Sequence, residues 1–286
     1  MTPYKAVSIL KERLWGGQKL KQYNKEFAKG RIGESWETDI DTMPVLIKLI
    51  DAMEILSVQV HPDDHKALLF EAQPRGKTEA WIVLDCEEDS KIVAGLKIGT
   101  DCRQLSRALA EGNAQNLLNI INVKKGDCIY IPAGTVHSLG KGIVVYEVQQ
   151  PSDLTYRLYD WNRMDEKGHS RELHIEKALS CIDFDASKVE VTNLYQQDLC
   201  RGYKNPVFQS DYFNTFYIQL TQAQNWSFKN KCFTALTLIS GEAWISDGDK
   251  KEPMKKGDTW IIPDMFRAMI NITAKEASEI ILTEHE

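Results

Sequence analysis

A nine-residue segment that occurs twice constrains the fold of this chain more than any other feature of its sequence. Residues 124–132 read Lys-Lys-Gly-Asp-Cys-Ile-Tyr-Ile-Pro, and residues 255–263, 131 positions later, read Lys-Lys-Gly-Asp-Thr-Trp-Ile-Ile-Pro. Each copy predicts a turn at Gly-Asp, a short strand, and a break at proline, which cannot donate to a sheet ladder. An internal repeat at this spacing predicts two related β-domains in one chain.

The two copies diverge after the proline. Residues 132–137 read Pro-Ala-Gly-Thr-Val-His, so a sharp turn leads to His137, whereas Ala268 takes the corresponding position in the second copy. The order of glycine, five residues, Pro-x-Gly, two residues and histidine resembles the second conserved motif of the cupin superfamily, small β-barrels that usually hold a metal. The resemblance implies that the first domain carries metal chemistry and that the second is a degenerate, structural barrel.

Polar residues on two other predicted strands are candidate companions for His137. In residues 55–61, apolar and polar side chains alternate, which places Gln59 and His61 on the same face. Residues 77–84 predict the next strand, with Glu79 near its start. Two imidazoles, a carboxylate and an amide oxygen suit a divalent ion, for which zinc is our first choice. Because the set contains no thiolate, manganese, iron and cobalt stay open.

These patterns predict a mainly β fold: two cupin-type (jelly-roll) β-barrels with a small helical insertion. The predicted domains are residues 1–185, a catalytic metal-binding barrel with the insertion, and residues 186–286, the degenerate barrel. A helix is predicted over residues 101–122, where leucines recur at helical spacing around a break near Gly112.

Charge and composition exclude several classes of partner. The net charge of -6 argues against nucleic acid and against an anionic membrane surface, since both favour a basic face. No run approaches the roughly 18 apolar residues of a membrane span, and no signal peptide is evident. Six cysteines without a Cys-x-x-Cys pair predict reduced, buried thiols in a cytoplasmic protein. A small anionic substrate is compatible with local basic residues, and the oligomeric state is left open.

Four segments, taken together, closely resemble type I phosphomannose isomerase in its short bacterial form: residues 56–63, 76–79, 132–137 and 152–157. The resemblance extends from the Trp-Gly-Gly sequence at residue 15 to the C-terminal barrel. It implies a zinc enzyme that interconverts mannose 6-phosphate and fructose 6-phosphate. The ligands of one zinc ion per chain would be Gln59, His61, Glu79 and His137.

The resemblance also implies roles for residues around the metal. Aldose–ketose isomerisation moves one proton between C1 and C2 and another between their oxygens, so it needs a base, an acid and an electrophile. We expect Glu147 or a metal-held water to move protons, while Arg157 and Lys77 hold anionic oxygen of the enediolate or the phosphate. A buried Glu147–Arg157 ion pair is the structural alternative. Four further residues match family positions near the substrate: Trp15, Glu34, Ser57 and Asp153.

Two other functions use similar residues. An iron-dependent cupin oxygenase would also need two histidines and a carboxylate, but the glutamine ligand and the nearby Lys77, Glu147 and Arg157 favour sugar-phosphate chemistry. A sugar-phosphate-binding cupin without turnover would have less need of a proton-transfer group such as Glu147. The sequence therefore predicts a metal-dependent aldose–ketose isomerase with a small sugar phosphate as substrate.

Overall fold

The computed structural model describes residues 2–164, 168–185, 189–196 and 198–286. The chain divides into two compact units: Met1–Asp51 together with Thr192–Glu286, and Ala52–Val191. The predicted division into 1–185 and 186–286 places residues 1–51 in the first domain, whereas here they belong to the same unit as residues 192–286. Residues 186–188, at the predicted boundary, lie outside the described residues.

The described residues are mainly β. The strands are β1 (Tyr4–Lys5), β2 (Ile9–Gly17), β3 (Ile32–Trp36), β4 (Leu46–Ala52), β5 (Val58–Val60), β6 (Glu79–Cys86), β7 (Lys91–Leu96), β8 (Leu118–Asn122), β9 (Asp127–Ile131), β10 (His137–Leu139), β11 (Ile143–Gln149), β12 (Tyr156–Tyr159), β13 (Val191–Asn193), β14 (Asn205–Gln209), β15 (Asn214–Leu220), β16 (Asn225–Lys229), β17 (Phe233–Ser240), β18 (Glu242–Ser246), β19 (Lys251–Lys255), β20 (Thr259–Ile262), β21 (Met269–Ala274) and β22 (Ser278–His285). The α-helices are α1 (Asp64–Glu71), α2 (Cys102–Ala110) and α3 (Ile175–Cys181).

The Ala52–Val191 unit is built on antiparallel strands. One sheet has the order β12-β5-β10-β7-β8, and β9, β6 and β11 are neighbours in a second. Val58 and Val60 of β5 pack in one apolar cluster with Leu105 of α2 and Ala178 of α3. Because side chains alternate along a strand, Gln59 projects from the opposite face, as the sequence predicts.

The C-terminal strands form two more antiparallel sheets, with the orders β1-β20-β17-β22-β15-β14 and β16-β21-β18-β19. Apolar residues of both sheets share one core, which includes Leu236, Leu282, Ile245 and Ile272. Burial of these side chains supplies the driving force for packing. Two sheets around one apolar core agree with the predicted jelly-roll architecture.

The repeated segment forms the same turn and strand in both units. Gly126 has φ +88° and Gly257 has φ +90°. Positive φ is a backbone conformation that favours glycine, because glycine has no Cβ to clash. Within each turn an aspartate accepts a bond from the first lysine: Lys124 N lies 2.8 Å from Asp127 Oδ2, and Lys255 N lies 2.9 Å from Asp258 Oδ2. The repeat therefore encodes one local structure twice, as predicted.

Two further sequence predictions differ from the structure. Residues 101–122 are helical only in their first part, because residues 118–122 form β8, an edge strand that pairs with β7. β-branched residues such as Ile120 and Ile121 favour a strand once a neighbouring strand is available. The cysteines are free, but only Cys128 and Cys181 are buried, and two of the others are exposed.

No helix in the described part of the chain is both long enough and apolar enough to cross a membrane.

Candidate metal centre

Sheet register brings three of the predicted site residues into one row. On β5, Gln59 lies opposite His137 of β10 on one side and opposite Arg157 of β12 on the other. Residues directly opposite each other in an antiparallel sheet project from the same face. These three side chains therefore leave the sheet together, on the face away from the helices.

Glu79, at the start of β6 in the second sheet, meets the two histidines. Its Oε1 lies 3.3 Å from His137 Nε2, its Oε2 lies 3.4 Å from His61 Nε2, and the two Nε2 atoms are 3.1 Å apart. All three side chains are buried. The Gln59 Nε2 atom is 3.3 Å from His137 Nε2, so rotation of this amide by 180° would present Oε1 to the same point.

Backbone carbonyls determine which nitrogen of each imidazole is protonated. His61 Nδ1 lies 2.7 Å from the Leu154 oxygen, and His137 Nδ1 lies 2.8 Å from the Thr135 oxygen. A carbonyl only accepts, so each Nδ1 carries the proton and each Nε2 keeps its lone pair. This arrangement is typical of metal-binding histidines, whose other ring nitrogen donates to the backbone or a carboxylate.

The charges at this point suit a cation. Lys77 Nζ lies 2.7 Å from Glu79 Oε2 and 3.0 Å from His61 Nε2. The ammonium forms an ion pair with Glu79 Oε2, whereas the buried Oε1 has no hydrogen-bond donor among the described residues. Buried carboxylates and lone pairs need a compensating partner. Two imidazole nitrogens, a carboxylate and an amide oxygen therefore fit a divalent metal ion.

The surroundings keep these side chains in the protonation states that a metal ion would require. Burial lowers the pKa of His61 to about 3, with a further contribution from the Lys77 ammonium. Burial likewise lowers the pKa of His137. Burial opposes ionisation of Glu79, but Lys77 and the two histidines hold its pKa well below the ordinary value. At neutral pH the imidazoles are neutral and the carboxylate is charged.

We expect the metal-free protein to lose stability as the pH falls below about 6.5. In that range the unfolded chain protonates His61, whereas the folded chain does not until about pH 3. The unfolded state then binds more protons, so the free energy of unfolding falls as the pH falls. Urea denaturation of the metal-free protein from pH 8 to pH 5 checks this.

A histidine elsewhere provides the control for this pH dependence. Replacement His61→Gln should reduce the slope of stability against pH. His65→Gln should leave it unchanged, because His65 is exposed on α1. A slope that is the same in the wild type and in His61→Gln would contradict the expectation.

Glu147 lies on β11, which pairs with β6, the strand that carries Glu79. In the β6–β11 ladder Glu147 is opposite Trp81, and Gln149 is opposite Glu79. Trp81 Nε1 donates to Glu147 Oε2 at 2.8 Å, and the indole packs edge-on against His137 with 5.5 Å between ring centroids. The sequence patterns did not identify Trp81 as a site residue, although it shares a strand face with Glu79.

Arg157 is held next to the site with part of its hydrogen-bonding capacity unused. Its Nη1 donates to the Glu172 carbonyl at 2.8 Å, whereas its buried Nε has no hydrogen-bond partner among the described residues. Arg163 is similar: its Nη2 bonds to the Ile55 carbonyl, and its buried Nη1 has no partner in the part of the chain that the structure describes. Buried donors of this kind indicate that an acceptor belongs there.

The other predicted residues lie in varied surroundings. Ser57 is buried just before β5, and Asp153 is exposed between β11 and β12. Trp15 and Glu34 belong to the other unit. There Trp15 packs over Gly33, and Glu34 accepts hydrogen bonds from Arg13 and Trp36. Burial opposes ionisation of Glu34, but Lys48 and Arg13 hold its pKa below the ordinary value.

A buried centre of two imidazoles and a carboxylate on antiparallel sheets is a possible metal site on a fold of the cupin class. Comparison with known proteins specifies the family. Residues 7–80 match the catalytic domain of type I phosphomannose isomerase. The chain is 33% identical to mannose-6-phosphate isomerase ManA of Bacillus subtilis, over 89% of this chain and 91% of the relative. It is 32% identical to mannose-6-phosphate isomerase of Streptococcus mutans, over 92% of this chain and 80% of the relative.

The fold comparison agrees with the sequence comparison. The crystal structure of mannose 6-phosphate isomerase from Bacillus subtilis matches with a TM-score of 0.85 at 28% identity, over 99% of this chain and 100% of that one. The match confirms the predicted fold class. The chain belongs to the type I phosphomannose isomerase family.

Proposed function

We propose that this protein interconverts mannose 6-phosphate and fructose 6-phosphate with one bound zinc ion, in the cytoplasm. The observation that carries the proposal is the meeting of His61, Glu79 and His137, with both Nε2 lone pairs directed at one point. Gln59 completes the proposed ligand set. A zinc ion there would act as a Lewis acid toward the sugar oxygens that change between aldose and ketose.

Arg157 and Arg163 are suited to hold the anionic part of the substrate. Each has a buried guanidinium nitrogen without a partner among the described residues, and Arg157 lies in the same row as Gln59 and His137. A guanidinium bonds phosphate and enediolate oxygens through several N–H groups in a fixed plane. We assign Arg157 to an anionic oxygen near the reacting carbons and Arg163 to the phosphate.

Lys77 and Glu147 supply the groups for proton movement. The Lys77 ammonium, 3.0 Å from His61 Nε2, is a donor for an oxygen at C1 or C2. Glu147 is a buried carboxylate whose Oε2 is held by Trp81 Nε1, and we assign it to the proton that moves between the carbons. Ser57, Asp153, Trp15 and Glu34 remain proposed substrate contacts.

We expect purified protein to convert mannose 6-phosphate to fructose 6-phosphate in a coupled assay. Treatment with a chelator should abolish the activity, and zinc should restore it more fully than manganese, cobalt or ferrous iron. Binding of the sugar phosphate by folded, zinc-loaded protein without any turnover would contradict the proposal and favour a non-catalytic binding protein.

A further inference from the structure

We propose that Asp64 and Gln150 form a clamp that positions the segment of residues 76–79, and with it Lys77 and Glu79. The inference rests on the proposed function, because both positioned side chains belong to the proposed active site. The side chains of Asp64 and Gln150 bond to the backbone of the segment and to each other, not to the metal ligands or the reacting groups among the described residues. They act through the backbone of the segment, so they are positioning residues.

The clamp holds the backbone N–H groups of the two residues that flank Lys77. Gly76 N donates to Asp64 Oδ1 at 2.7 Å, and Thr78 N donates to Gln150 Oε1 at 2.8 Å. Between them, Lys77 N donates to the Pro62 carbonyl at 2.9 Å. The residue that carries the ammonium is therefore fixed at its own nitrogen and at both neighbours.

The two clamp side chains are also bonded to each other. Gln150 Nε2 donates to the same Asp64 Oδ1 at 2.8 Å, which fixes the orientation of the Gln150 amide. The backbone N of Gln150 donates to the Thr78 carbonyl at 3.0 Å. Asp64 is the first residue of α1, next to the Asp63 N-cap, so the clamp is anchored on a helix rather than on a loop.

The surroundings of Gly76 show how closely the segment of residues 76–79 packs against the backbone at the start of α1. A Cβ at this position would lie 2.4 Å from the carbonyl carbon of Asp63 and 2.4 Å from the carbonyl oxygen of Pro62. Backbone atoms cannot move aside as a flexible side chain can, so any side chain at residue 76 must displace the segment. The close approach and the polar clamp therefore fix the same stretch of chain independently.

Small displacements at this segment have large consequences for the site. The segment sets Glu79 relative to His61 and His137, and it sets the Lys77 ammonium. Loss of residues that orient metal ligands typically weakens metal affinity or activity about 10–100-fold, and a 1 Å misplacement can lower a rate about 100-fold. The clamp thus places both the metal ligand and the proton donor at once.

The test uses Gln150→Glu, which keeps an acceptor for Thr78 N but sets a second carboxylate against Asp64. We expect zinc affinity, measured by competition with a chromophoric chelator, to fall about 10–100-fold. We expect kcat for mannose 6-phosphate to fall at least about tenfold, with a smaller change in KM. The double replacement Asp64→Asn with Gln150→Glu removes the repulsion between the two carboxylates and should recover part of both values, because a single atom of the new amide cannot both accept from Gly76 N and donate to the new carboxylate.

Two controls separate positioning from stability. Asp127→Ala removes the bond from Lys124 N in the turn before β9, so it should lower stability without changing zinc affinity. Gly76→Ala should reproduce the effect of Gln150→Glu through displacement alone. Unchanged zinc affinity and unchanged kcat in both Gln150→Glu and Gly76→Ala would overturn the clamp. Clamp-dependent zinc affinity in a protein that does not turn over mannose 6-phosphate would support the clamp and refute the proposed function.

Discussion

Replacement His137→Gln is expected to lower kcat/KM for mannose 6-phosphate by about 1000-fold or more. His137 Nε2 lies 3.3 Å from Glu79 Oε1 and 3.1 Å from His61 Nε2, so the replacement removes one nitrogen of the proposed ligand set. A Lewis acid contributes several kcal/mol to stabilisation of a transition state, and each 1.4 kcal/mol is about a tenfold change in rate. Initial-rate kinetics and the zinc content after dialysis measure both effects.

The matched control is His65→Gln. His65 is exposed on α1, in the same unit, and should tolerate the change with full activity and a full equivalent of zinc. Circular dichroism of both variants excludes unfolding as the cause. Turnover of His137→Gln within tenfold of the wild type, or undiminished zinc binding, would remove His137 from the proposed metal centre.

Replacement Lys25→Met is expected to lower the free energy of unfolding by about 3–5 kcal/mol. The Lys25 side chain is only 5% exposed, and its Nζ donates to Glu37 Oε2 at 2.9 Å, to Ser8 Oγ at 2.8 Å and to the Gly257 carbonyl at 2.8 Å. Methionine fills similar space but leaves the buried Glu37 carboxylate without its cation. Urea denaturation followed by intrinsic fluorescence measures the loss.

The comparison variant is Lys5→Met, which affects an ion pair at the same turn. Lys5 Nζ lies 2.7 Å from Asp258 Oδ1, but its side chain is 46% exposed. Asp258 also accepts bonds from Asn24 Nδ2 and Lys255 N, so it remains satisfied. We expect a loss of about 1 kcal/mol or less. Equal losses of unfolding free energy in the two variants would contradict the claim that burial of the Lys25–Glu37 pair determines its contribution to stability.

A second replacement tests the cause of the Lys25 effect. Glu37→Gln in the Lys25→Met background removes the uncompensated charge while keeping an acceptor for Ser35 Oγ, which bonds Glu37 Oε1. Recovery of part of the lost stability is expected, because the cost comes from the unpaired charge rather than from the missing lysine stem. A further loss of stability in the double variant would contradict this account.

Local patterns were enough to predict the candidate metal ligands. Alternation along residues 55–61 determines that Gln59 and His61 share a face, and the Pro-x-Gly turn determines that His137 follows a strand. These are short-range consequences of backbone geometry, so they can be read without knowing the fold. The repeat at 124–132 and 255–263 likewise encodes its turn within four residues.

Contacts distant in sequence were not predictable in the same way. Leucine spacing predicted a helix through residues 118–122, because the pairing of this stretch with β7 leaves no local signal. The Asp64–Gln150 bond joins residues 86 positions apart, and no local pattern indicates it. The buried pair of Lys25 with Glu37 similarly depends on the Gly257 carbonyl, 232 positions from Lys25.

The sequence by itself therefore determined the mainly β class and the repeated turn and strand, and it predicted the proposed metal-ligand set, since each depends on local periodicity or on a resemblance carried by short motifs. Tertiary structure decided which unit includes residues 1–51, which atoms of His61 and His137 face Glu79, and where Trp81, Asp64 and Gln150 act. Those features depend on which strands become neighbours and on which backbone carbonyls meet each imidazole. Such pairings arise only when distant segments pack together, because burial and hydrogen bonding are properties of the folded chain.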